Sequence, residues 1–362
     1  MSSTVLALLY GAAFCVPFVA TLGFTPIAGR VARRLGILDV PQQNKFHRQA
    51  TPYLGGVAVA VGVVLVGAVA GSARGQLLTV LLCGLAVAVV GLVDDWRTVR
   101  PEMKLVVEIA AGLALWFVGI RASIFGVYEL DLAMTVLWVV AVTNALNLVD
   151  NMDGLSSGLA CICAFSFFAL AASRGHYFRG SLALAIAGSS LAFLRYNFPP
   201  ARIFLGDAGS LLLGFLLAAL ALHSDLAGKG WPIRAAVPVL ILGVPLFDTL
   251  LVIVSRVRRH QPVSRGGTDH SSHRLVATGL STRRVAVTLY GAQLASSTAA
   301  LALFVLPSAL AAPILVGLGS CAVAALVLFL RLDELETREA ALRTPEWPMG
   351  WHRRGEAPAS VE

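Results

Sequence analysis

The sequence predicts an all-α polytopic membrane protein with about 11 transmembrane helices. Of its 362 residues, 57% are hydrophobic and only 13% are charged. Apolar runs of about 20 residues recur along the chain, and each is long enough to cross a bilayer core of about 30 Å. The net charge of +8 lies mainly in the loops between these runs. No basic stripe typical of nucleic-acid binding is present, so we expect a membrane partner and no nucleic acid.

The apolar runs define one large domain and a short tail. The predicted spans are residues 5–27, 53–71, 77–93, 103–120, 132–148, 155–173, 180–196, 206–224, 235–255, 285–305 and 309–330. We therefore expect residues 1–330 to form one transmembrane domain. Residues 331–362 form a cytoplasmic C-terminal tail whose charges and prolines predict partial disorder. The first run is too long for a signal-peptide core and lacks a basic leader, so we expect it to be retained.

The distribution of Lys and Arg predicts the orientation. Six of the 28 basic residues fall on one side: Arg74, Arg121, Arg174, Arg179, Lys229 and Arg234. The remaining basic residues mark the other side as cytoplasmic by the positive-inside rule. The N-terminus is then outside, the C-terminus is cytoplasmic, and the protein is a multi-pass protein of the inner (plasma) membrane. All five cysteines fall in apolar runs and are expected to be buried hydrophobes without a disulfide framework.

The stretch NALNLVDNMDGL, residues 144–155, follows an apolar run. Asn144, Asn147 and Asp150 are spaced three residues apart, and they share one face if the helix persists to Asp150. Asp153 and Gly154 follow, and the glycine allows close backbone approach. A helix end that frays into a loop is the alternative, but four polar groups in this register favour a ligand site.

An acidic pair ends the third apolar run. Asp94 and Asp95 lie at the membrane surface, where two adjacent carboxylates repel each other and need a cation or a proton. Arg97, Arg100 and Lys104 supply one form of compensation, and a divalent metal supplies the other.

Another acid lies at the start of a later apolar helix. Asp207 lies between Gly206 and Gly209, three residues after Phe204. It suits a helix cap, but a cap needs neither the flanking glycines nor the aromatic ring, so we favour a carboxylate that holds a metal beside a stacking ring.

A further acid lies inside an apolar run. Asp248 comes eight residues before Arg256, about two helical turns into the bilayer. An ionisable residue at this depth is a functional candidate that faces the bundle interior. Pro245 predicts a kink nearby.

Two basic loops suit phosphate. Lys45, His47 and Arg48 precede the Gly55-Gly56 pair that opens a helix, and a helix N-terminus favours an anion. Ordinary positive-inside charge is the alternative. The later loop contains Asp269, His270, His273 and Arg274. The two histidines suit zinc only if a third close ligand exists, and none is present, so pyrophosphate contact is favoured.

The order of these motifs resembles the polyprenyl-phosphate N-acetylhexosamine-1-phosphate transferase family, of the MraY and WecA type (glycosyltransferase family 4). The family's acidic pair matches Asp94-Asp95, and its NxxNxxDGxDGL motif matches 144–155 with Asn151 in place of glycine. Its FxGDxGS motif matches 204–210. Its HxHHR motif aligns with 270–274, where Ser272 stands at a usual histidine.

The resemblance implies a reaction and its partners. N-acetylhexosamine 1-phosphate passes from a UDP-sugar to polyprenyl phosphate and UMP is released, which is the first membrane step of cell-wall or surface-polysaccharide synthesis. UDP-N-acetylglucosamine (UDP-GlcNAc) is favoured because the sequence of the loop that carries His270 and His273 (the histidine loop) is closer to the WecA branch. A muramoyl-pentapeptide donor is the alternative. Mg²⁺ is the implied ion, with Mn²⁺ as a substitute, and a homodimer is left open.

The resemblance also implies roles for individual residues on the cytoplasmic face. The expected metal ligands are Asp207 and Asp150. The expected catalytic residues are Asp94, Asp95, Asp150, Asp153, His270 and His273. The expected substrate-binding residues are Lys45, His47, Arg48, Asn144, Asn147, Asn197, Phe204, Asp248 and Arg274. Phe204 is expected to stack on uracil, and Asp248 to shape the floor of the lipid groove.

Two other classes compete with this interpretation. A transporter also carries intramembrane acids, but its polar site lies at the bilayer midplane between repeats, whereas these residues crowd one face. A CDP-alcohol phosphotransferase shares the DxxDG of Asp150 to Gly154 but lacks the rest of its motif here. Within the favoured class, direct attack by the lipid phosphate is preferred to a covalent aspartyl-phosphate. The second pKa of a phosphate monoester is about 6, so the nucleophile is already ionised at neutral pH.

Overall fold

The computed structural model describes residues 2–39, 50–66, 74–224, 226, 228–262 and 267–343, and these are almost entirely helical. The helices are α1 Ser3–Leu35, α2 Gly55–Val64, α3 Arg74–Trp96, α4 Pro101–Phe117, α5 Tyr128–Leu148, α6 Leu155–Ser173, α7 Tyr177–Asn197, α8 Gly206–Leu222, α9 Trp231–Ile241, α10 Gly243–Arg258, α11 Ser271–Ala277, α12 Thr282–Val305 and α13 Ala311–Arg343. A 3₁₀ turn at Ser308–Leu310 precedes α13.

The predicted all-α membrane class is confirmed. Each predicted span contains a helix, and α6 has the predicted limits of 155–173. Within the described residues, seven helices are long and apolar enough to cross a membrane, or eight when the bent α9–α10 pair counts as one span. The others, such as α2 with 10 residues, are shorter. Helix α13 runs to Arg343, beyond the boundary predicted at residue 330, because its helical pattern continues into charged residues.

Helix α8 forms the centre of the bundle. Almost all of its residues are buried, and it packs against α2, α3, α5 and α6. By contrast, α1 and α13 expose apolar side chains such as Leu8 and Val323. These outward apolar faces fit a hydrocarbon environment. The bundle thus buries α8 and leaves its N-terminus, with Asp207, at one end.

Two glycine contacts bring α8 close to its neighbours. A Cβ on Gly91 of α3 would lie 2.5 Å from the carbonyl carbon of Asp207, and a Cβ on Gly56 of α2 would lie 2.2 Å from the backbone nitrogen of Gly209. Only glycine allows backbones to approach this closely. The end of α3 is therefore held directly against the start of α8.

The span predicted as one helix over 235–255 is two helices. Helices α9 and α10 meet at Leu242 with a bend of 85°. Gln293 of α12 stabilises the break: its amide nitrogen donates to the carbonyl of Ile241 at 2.8 Å, and its oxygen accepts from the backbone N–H of Val244 at 3.0 Å. The kink predicted at Pro245 is present three residues earlier, at Leu242. Pro245 lies in the first turn of the new helix, where its missing N–H costs little.

A two-stranded antiparallel ladder was not predicted. Strands β1 (Leu38–Asp39) and β2 (Thr51–Pro52) pair Leu38 with Pro52 and Asp39 with Thr51. The backbone N–H of Phe204 donates to the carbonyl of Pro52 at 2.9 Å. The ladder therefore fastens the first loop to the segment that leads into α8.

Candidate active site

Carboxylates from α3 and α8 converge on one lysine. The Lys104 ammonium, on α4, lies 2.5 Å from Oδ2 of Asp207 and also forms an ion pair with Oδ2 of Asp94. The other Asp94 oxygen accepts from the backbone N–H of Val99 at 2.5 Å. The sequence analysis named Lys104 as one possible counter-charge for the acidic pair, and the structure places it between the two acids.

Asp95 forms the cap of α8. Its carboxylate accepts from the backbone N–H groups of Asp207, at 2.8 Å, and Ala208, at 3.1 Å. Gly206 has φ of +72°, and a Cβ there would lie 2.5 Å from Asp95 Oδ2. The glycines around Asp207 are therefore explained by packing: Gly206 accommodates Asp95, and Gly209 accommodates α2. The glycines therefore do not by themselves indicate a metal, and metal binding by Asp207 stays a prediction. The Asp95 carboxylate holds the N-terminus of α8 in place.

Asn147 connects the predicted 144–155 motif to α8. Its amide nitrogen donates to Asp207 Oδ1 at 2.9 Å and to Ser210 Oγ at 3.0 Å. Both Asp207 oxygens are thus oriented by neighbours, one by Asn147 and one by Lys104. Asn144 points elsewhere, because its amide donates to Glu108 Oε2 at 2.5 Å.

Asp150 lies in the turn after α5. The helix ends at Leu148, so the condition for a shared helical face, a helix that persists to Asp150, is not met. No hydrogen bond to the Asp150 carboxylate occurs within the described residues. Burial, together with the nearby carboxylates of Asp207, Asp95 and Asp153, raises the pKa of Asp150 well above its usual range. Asp150 therefore favours a proton or a bound cation in this crowd of carboxyl groups around Asp207.

Asp153 and Asn197 tie two loops together. Asp153 Oδ2 accepts from the backbone N–H of Ala201 at 2.8 Å. Asn197 is buried; its oxygen accepts from the N–H of Gly154 at 2.9 Å, and its nitrogen donates to the carbonyl of Ile203 at 3.0 Å. These bonds fix the segment before α8 against the turn after α5. The nucleotide contact expected for Asn197 has no geometric support, because its amide is engaged by the protein.

Asp248 orients the histidine loop. It is 1% exposed, and its carboxylate lies 2.7 Å from His270 Nδ1 and accepts from the N–H of Ser271 at 2.7 Å and from its hydroxyl at 2.6 Å. The expectation that Asp248 faces the bundle interior is met. Its expected place at the floor of a lipid groove is not, because the carboxylate is enclosed by this loop.

Arg274 is structural in this arrangement. Its guanidinium is 2% exposed and donates to the carbonyls of Asp269, at 3.0 Å, and Phe329, at 2.6 Å, and to Ser255 Oγ at 2.9 Å. Phosphate contact was expected here, but these bonds hold the guanidinium inside the fold. The arginine therefore anchors α11 to α10 and α13.

The two histidines differ in exposure. His270 is 5% exposed, whereas His273 is half-buried, with its ring centroid 6.0 Å from that of His270. Burial and the neighbouring His270 lower the pKa of His273 to about 4. His273 is therefore neutral at pH 7, and its expected contact with pyrophosphate stays a prediction. The intervening Ser272 donates to Asn151 Oδ1 at 2.6 Å, which links this loop to the turn that carries Asp150.

Comparison with known proteins identifies the family. The family model described as glycosyl transferase family 4 matches residues 77–225. A Bacillus subtilis protein named a probable undecaprenyl-phosphate N-acetylglucosaminyl 1-phosphate transferase is 35% identical over 288 residues, which cover 77% of this chain and 80% of the relative. The chain belongs to glycosyl transferase family 4.

Other relatives in glycosyl transferase family 4 align over a similar extent. A decaprenyl-phosphate N-acetylglucosaminephosphotransferase of Mycobacterium leprae is 30% identical over 310 residues, 75% of this chain and 78% of the relative. The undecaprenyl-phosphate α-N-acetylglucosaminyl 1-phosphate transferase of Escherichia coli K12 is 28% identical over 300 residues, 77% of this chain and 80% of the relative. The region matched by the family model contains Lys104 and the four acids Asp94, Asp95, Asp150 and Asp207.

Glu108 is a buried ionisable residue beside Lys104 that the sequence analysis did not name. It is 1% exposed, lies one turn after Lys104 on α4, and has a buried Oε1 without a hydrogen-bond partner among the described residues. The available signal was an ionisable residue inside the span predicted at 103–120, which marks a functional candidate.

Of the four predicted residues that remain, the structure describes Phe204. Phe204 is partly exposed, with its ring centroid 5.8 Å from that of Tyr53. Its expected stacking on uracil stays a prediction. Lys45, His47 and Arg48 lie outside the described residues.

The donor set of the site fits a hard cation. Among the described residues no group of three His, Cys, Asp or Glu side chains is placed to hold a metal. Mg²⁺ does not require one, because it usually takes one or two carboxylates and completes its shell with substrate oxygens and water. Asp207 and Asp150 offer carboxylate oxygens of this kind, and the excess negative charge calls for a cation. The zinc alternative at His270 and His273 gains no third ligand within the described part of the chain.

Proposed function

We propose that this chain transfers N-acetylglucosamine 1-phosphate from UDP-N-acetylglucosamine to a polyprenyl phosphate, with release of UMP. The observation that carries the proposal is the convergence of Asp94, Asp95, Asp150 and Asp207 at one end of an apolar helix bundle. The names of the relatives supply the transferred group and the lipid acceptor. The proposed product is a lipid-linked sugar that enters cell-wall or surface-polysaccharide synthesis.

The proposed reaction is a direct displacement. An oxygen of the lipid phosphate attacks the sugar-bearing phosphorus of the donor, the bridging P–O bond breaks, and the electron pair leaves with UMP. Both Asp94 oxygens are engaged, by Lys104 and by the N–H of Val99, which disfavours Asp94 as a covalent nucleophile. Protein groups then position the anions and stabilise charge, as is usual for phosphoryl transfer.

Each residue has a proposed task. Lys104 places a positive charge between Asp94 and Asp207, next to the position of the pyrophosphate. Asn147 and Asp95 orient Asp207, and His273 donates a hydrogen bond to a phosphate. Asp207 and Asp150 would hold Mg²⁺, which supplies positive charge for the phosphate oxygens when bound.

The membrane arrangement is part of the proposal. We place the site at the cytoplasmic face of the plasma membrane, with 11 spans and the N-terminus outside. The bias of Lys and Arg supports this orientation. A lipid acceptor would then reach Asp207 sideways from the inner leaflet, while the nucleotide sugar enters from the cytoplasm.

The decisive experiment measures UMP release by the purified protein. Polyprenyl phosphate and Mg²⁺ are supplied with UDP-N-acetylglucosamine, the muramoyl-pentapeptide donor or other UDP-sugars in turn. We expect turnover with UDP-N-acetylglucosamine and a loss of at least about 100-fold in Asp207→Asn, the scale of one lost charge-stabilising group. Radiolabel that accumulates inside vesicles without entering the lipid extract would instead identify a transporter. Full turnover by Asp207→Asn would refute the assigned role.

A further inference from the structure

A second cavity lies at the other end of the bundle. It has a volume of about 530 Å³ and is formed by the loop after α4, the C-terminal end of α8 with the loop that follows, and the N-terminal parts of α5, α7 and α9. Asp207 is the second residue of α8, and His223, which lines the cavity, directly follows the last. Sixteen residues at 1.5 Å per residue separate the two ends by about 24 Å. The cavity is therefore distinct from the carboxylate site.

The lining of this cavity is basic. Arg121, Arg179 and Arg234 all contribute to it, which is half of the six basic residues on this side of the membrane. None of its described lining residues is acidic; Asp225, in the adjoining loop, lies outside the described residues. Such a concentration of positive charge favours an anionic occupant.

Neighbouring contacts fix two of these arginines without cancelling their charge. The Arg234 guanidinium donates to the carbonyl of Ser123, and Arg121 lies 5.0 Å from the centroid of the Trp116 ring. Asp131 is the nearby buried acid, and its carboxylate accepts from three backbone N–H groups of the loop before α5, those of residues 124–126. The acid therefore orders the loop that carries Ser123.

Two arginines lie at helix ends that ordinarily disfavour cations. Arg179 is the third residue of α7, and Arg234 is the fourth residue of α9. Helix N-termini carry partial positive charge, and acidic residues are preferred there. Neither helix has an acid in its first turn. An anion bound between the two helices would offset both unfavourable placements, since helix N-termini and guanidinium groups both favour phosphate.

The rest of the lining is apolar. Met134, Leu222, Leu226 and Pro238 contribute to it. Trp138 also lines the cavity, and its indole N–H is buried without an acceptor among the described residues. An occupant that presents both acceptor oxygens and hydrocarbon matches these two kinds of surface.

We propose that this cavity binds a phosphate ester, with the three arginines on its oxygens and any hydrocarbon against the apolar wall. The proposal does not depend on the transferase reaction. The phosphate could come from an anionic phospholipid headgroup or from a soluble phosphate, and the experiment separates these sources.

The test uses the purified full-length protein in a neutral detergent. Its thermal unfolding is followed while phosphatidylglycerol, diacylglycerol as the phosphate-free lipid, or inorganic phosphate is titrated at constant ionic strength. A shift in unfolding midpoint with phosphatidylglycerol alone identifies a lipid site, and a shift with inorganic phosphate identifies a site for the free anion. Equal shifts with phosphatidylglycerol and diacylglycerol would overturn the proposal.

Variants assign any shift to the cavity. Arg234→Gln and Arg121→Gln should each weaken binding about tenfold, the effect of one lost charge-assisted hydrogen bond. Arg121 is exposed, so its variant keeps the fold even if Arg234→Gln does not. Arg174→Gln is the matched control: Arg174 lies on the same side, 4.9 Å from the centroid of the Phe304 ring, and does not line the cavity. Unchanged binding in Arg121→Gln and Arg234→Gln, or equal weakening in Arg174→Gln, would refute the site.

Discussion

Ser272 and Asn151, the two positions at which the chain departs from the family motifs that it resembles, are in direct contact. The Ser272 hydroxyl donates to Asn151 Oδ1 at 2.6 Å, and the Asn151 amide nitrogen donates to the carbonyl of Leu148 at 2.8 Å. The usual residues at these positions are histidine and glycine. Serine is smaller than the usual histidine and asparagine is larger than the usual glycine, so the two changes in size offset each other. The pair connects the histidine loop to the turn that carries Asp150.

The contact predicts that substitutions at the two positions compensate. Ser272 is 1% exposed, so the imidazole of Ser272→His would overlap the Asn151 side chain and displace the loop. Asn151→Gly removes that side chain and leaves room for the ring. We expect Ser272→His alone to lose more activity than the double variant, with a coupling of about 1–2 kcal/mol, which is typical of residues in contact. UMP release by the four proteins of the cycle measures it.

The cycle also distinguishes a local effect from general damage. Ser271→Ala removes a neighbouring hydroxyl that contacts Asp248 instead of Asn151, so its effect should not depend on Asn151. Additive losses for Asn151→Gly and Ser272→His would show that the two departures are independent.

The sequence predicts which residues lie near one another at the site, but not which contacts each side chain makes. Apolar runs and acids at their ends place Asp94 and Asp207 at one face, because both signals are local. The capping of α8 by Asp95 is a contact over 112 residues, and no local pattern encodes it. Likewise, arginine is a residue type that commonly binds phosphate, but the Arg274 side chain is buried among three helices. The 85° break at Leu242 depends on Gln293, which comes about fifty residues later.

Gly91→Ala should move α3 away from α8 and so disrupt the site. The new methyl group would lie 2.5 Å from the backbone of Asp207, so α3 and α8 must move apart. Overpacking of this kind costs about 1–3 kcal/mol, and it displaces Asp94 and Asp95 relative to Asp207. We expect most of the activity to be lost, measured as UMP release per folded protein. Gly75→Ala, on the same helix with nothing within 4 Å, is the control. Equal activity in both variants would contradict the close approach.

The pKa of His273 predicts a stability that falls on acidification. Its ordinary value of about 6.5 is lowered to about 4 in the fold by burial and by His270, against the opposing charges of Asp248 and Asp269. Between these two values the unfolded chain binds more protons, so the free energy of unfolding rises with pH. Stability is therefore lost as pH falls from about 6.5 towards 4.

Unfolding midpoints between pH 7.5 and 5 test the role of His273. His273→Gln should show a smaller fall than the unsubstituted protein across this range, because the titrating group is gone. His260→Gln, at an exposed position in the same loop, should retain the full pH dependence. The assignment fails if both variants behave alike.

The position of Lys104 between Asp94 and Asp207 predicts that loss of its charge makes the stability of the protein more dependent on Mg²⁺. Lys104→Met removes the ammonium that separates Asp94 from Asp207 and leaves two carboxylates facing each other. All three side chains are partly exposed, so solvent screens the repulsion, and we expect a loss of about 1–2 kcal/mol of stability without divalent ions. Mg²⁺ should restore much of that loss, and the midpoint should rise more in Lys104→Met than in the unsubstituted protein. Arg97→Gln, an exposed cation 5.0 Å from the centroid of the Trp96 ring, should respond to Mg²⁺ as the unsubstituted protein does. A response to Mg²⁺ that is the same in all three proteins would show that the ion does not bind beside Asp207, whatever the activity of the variants.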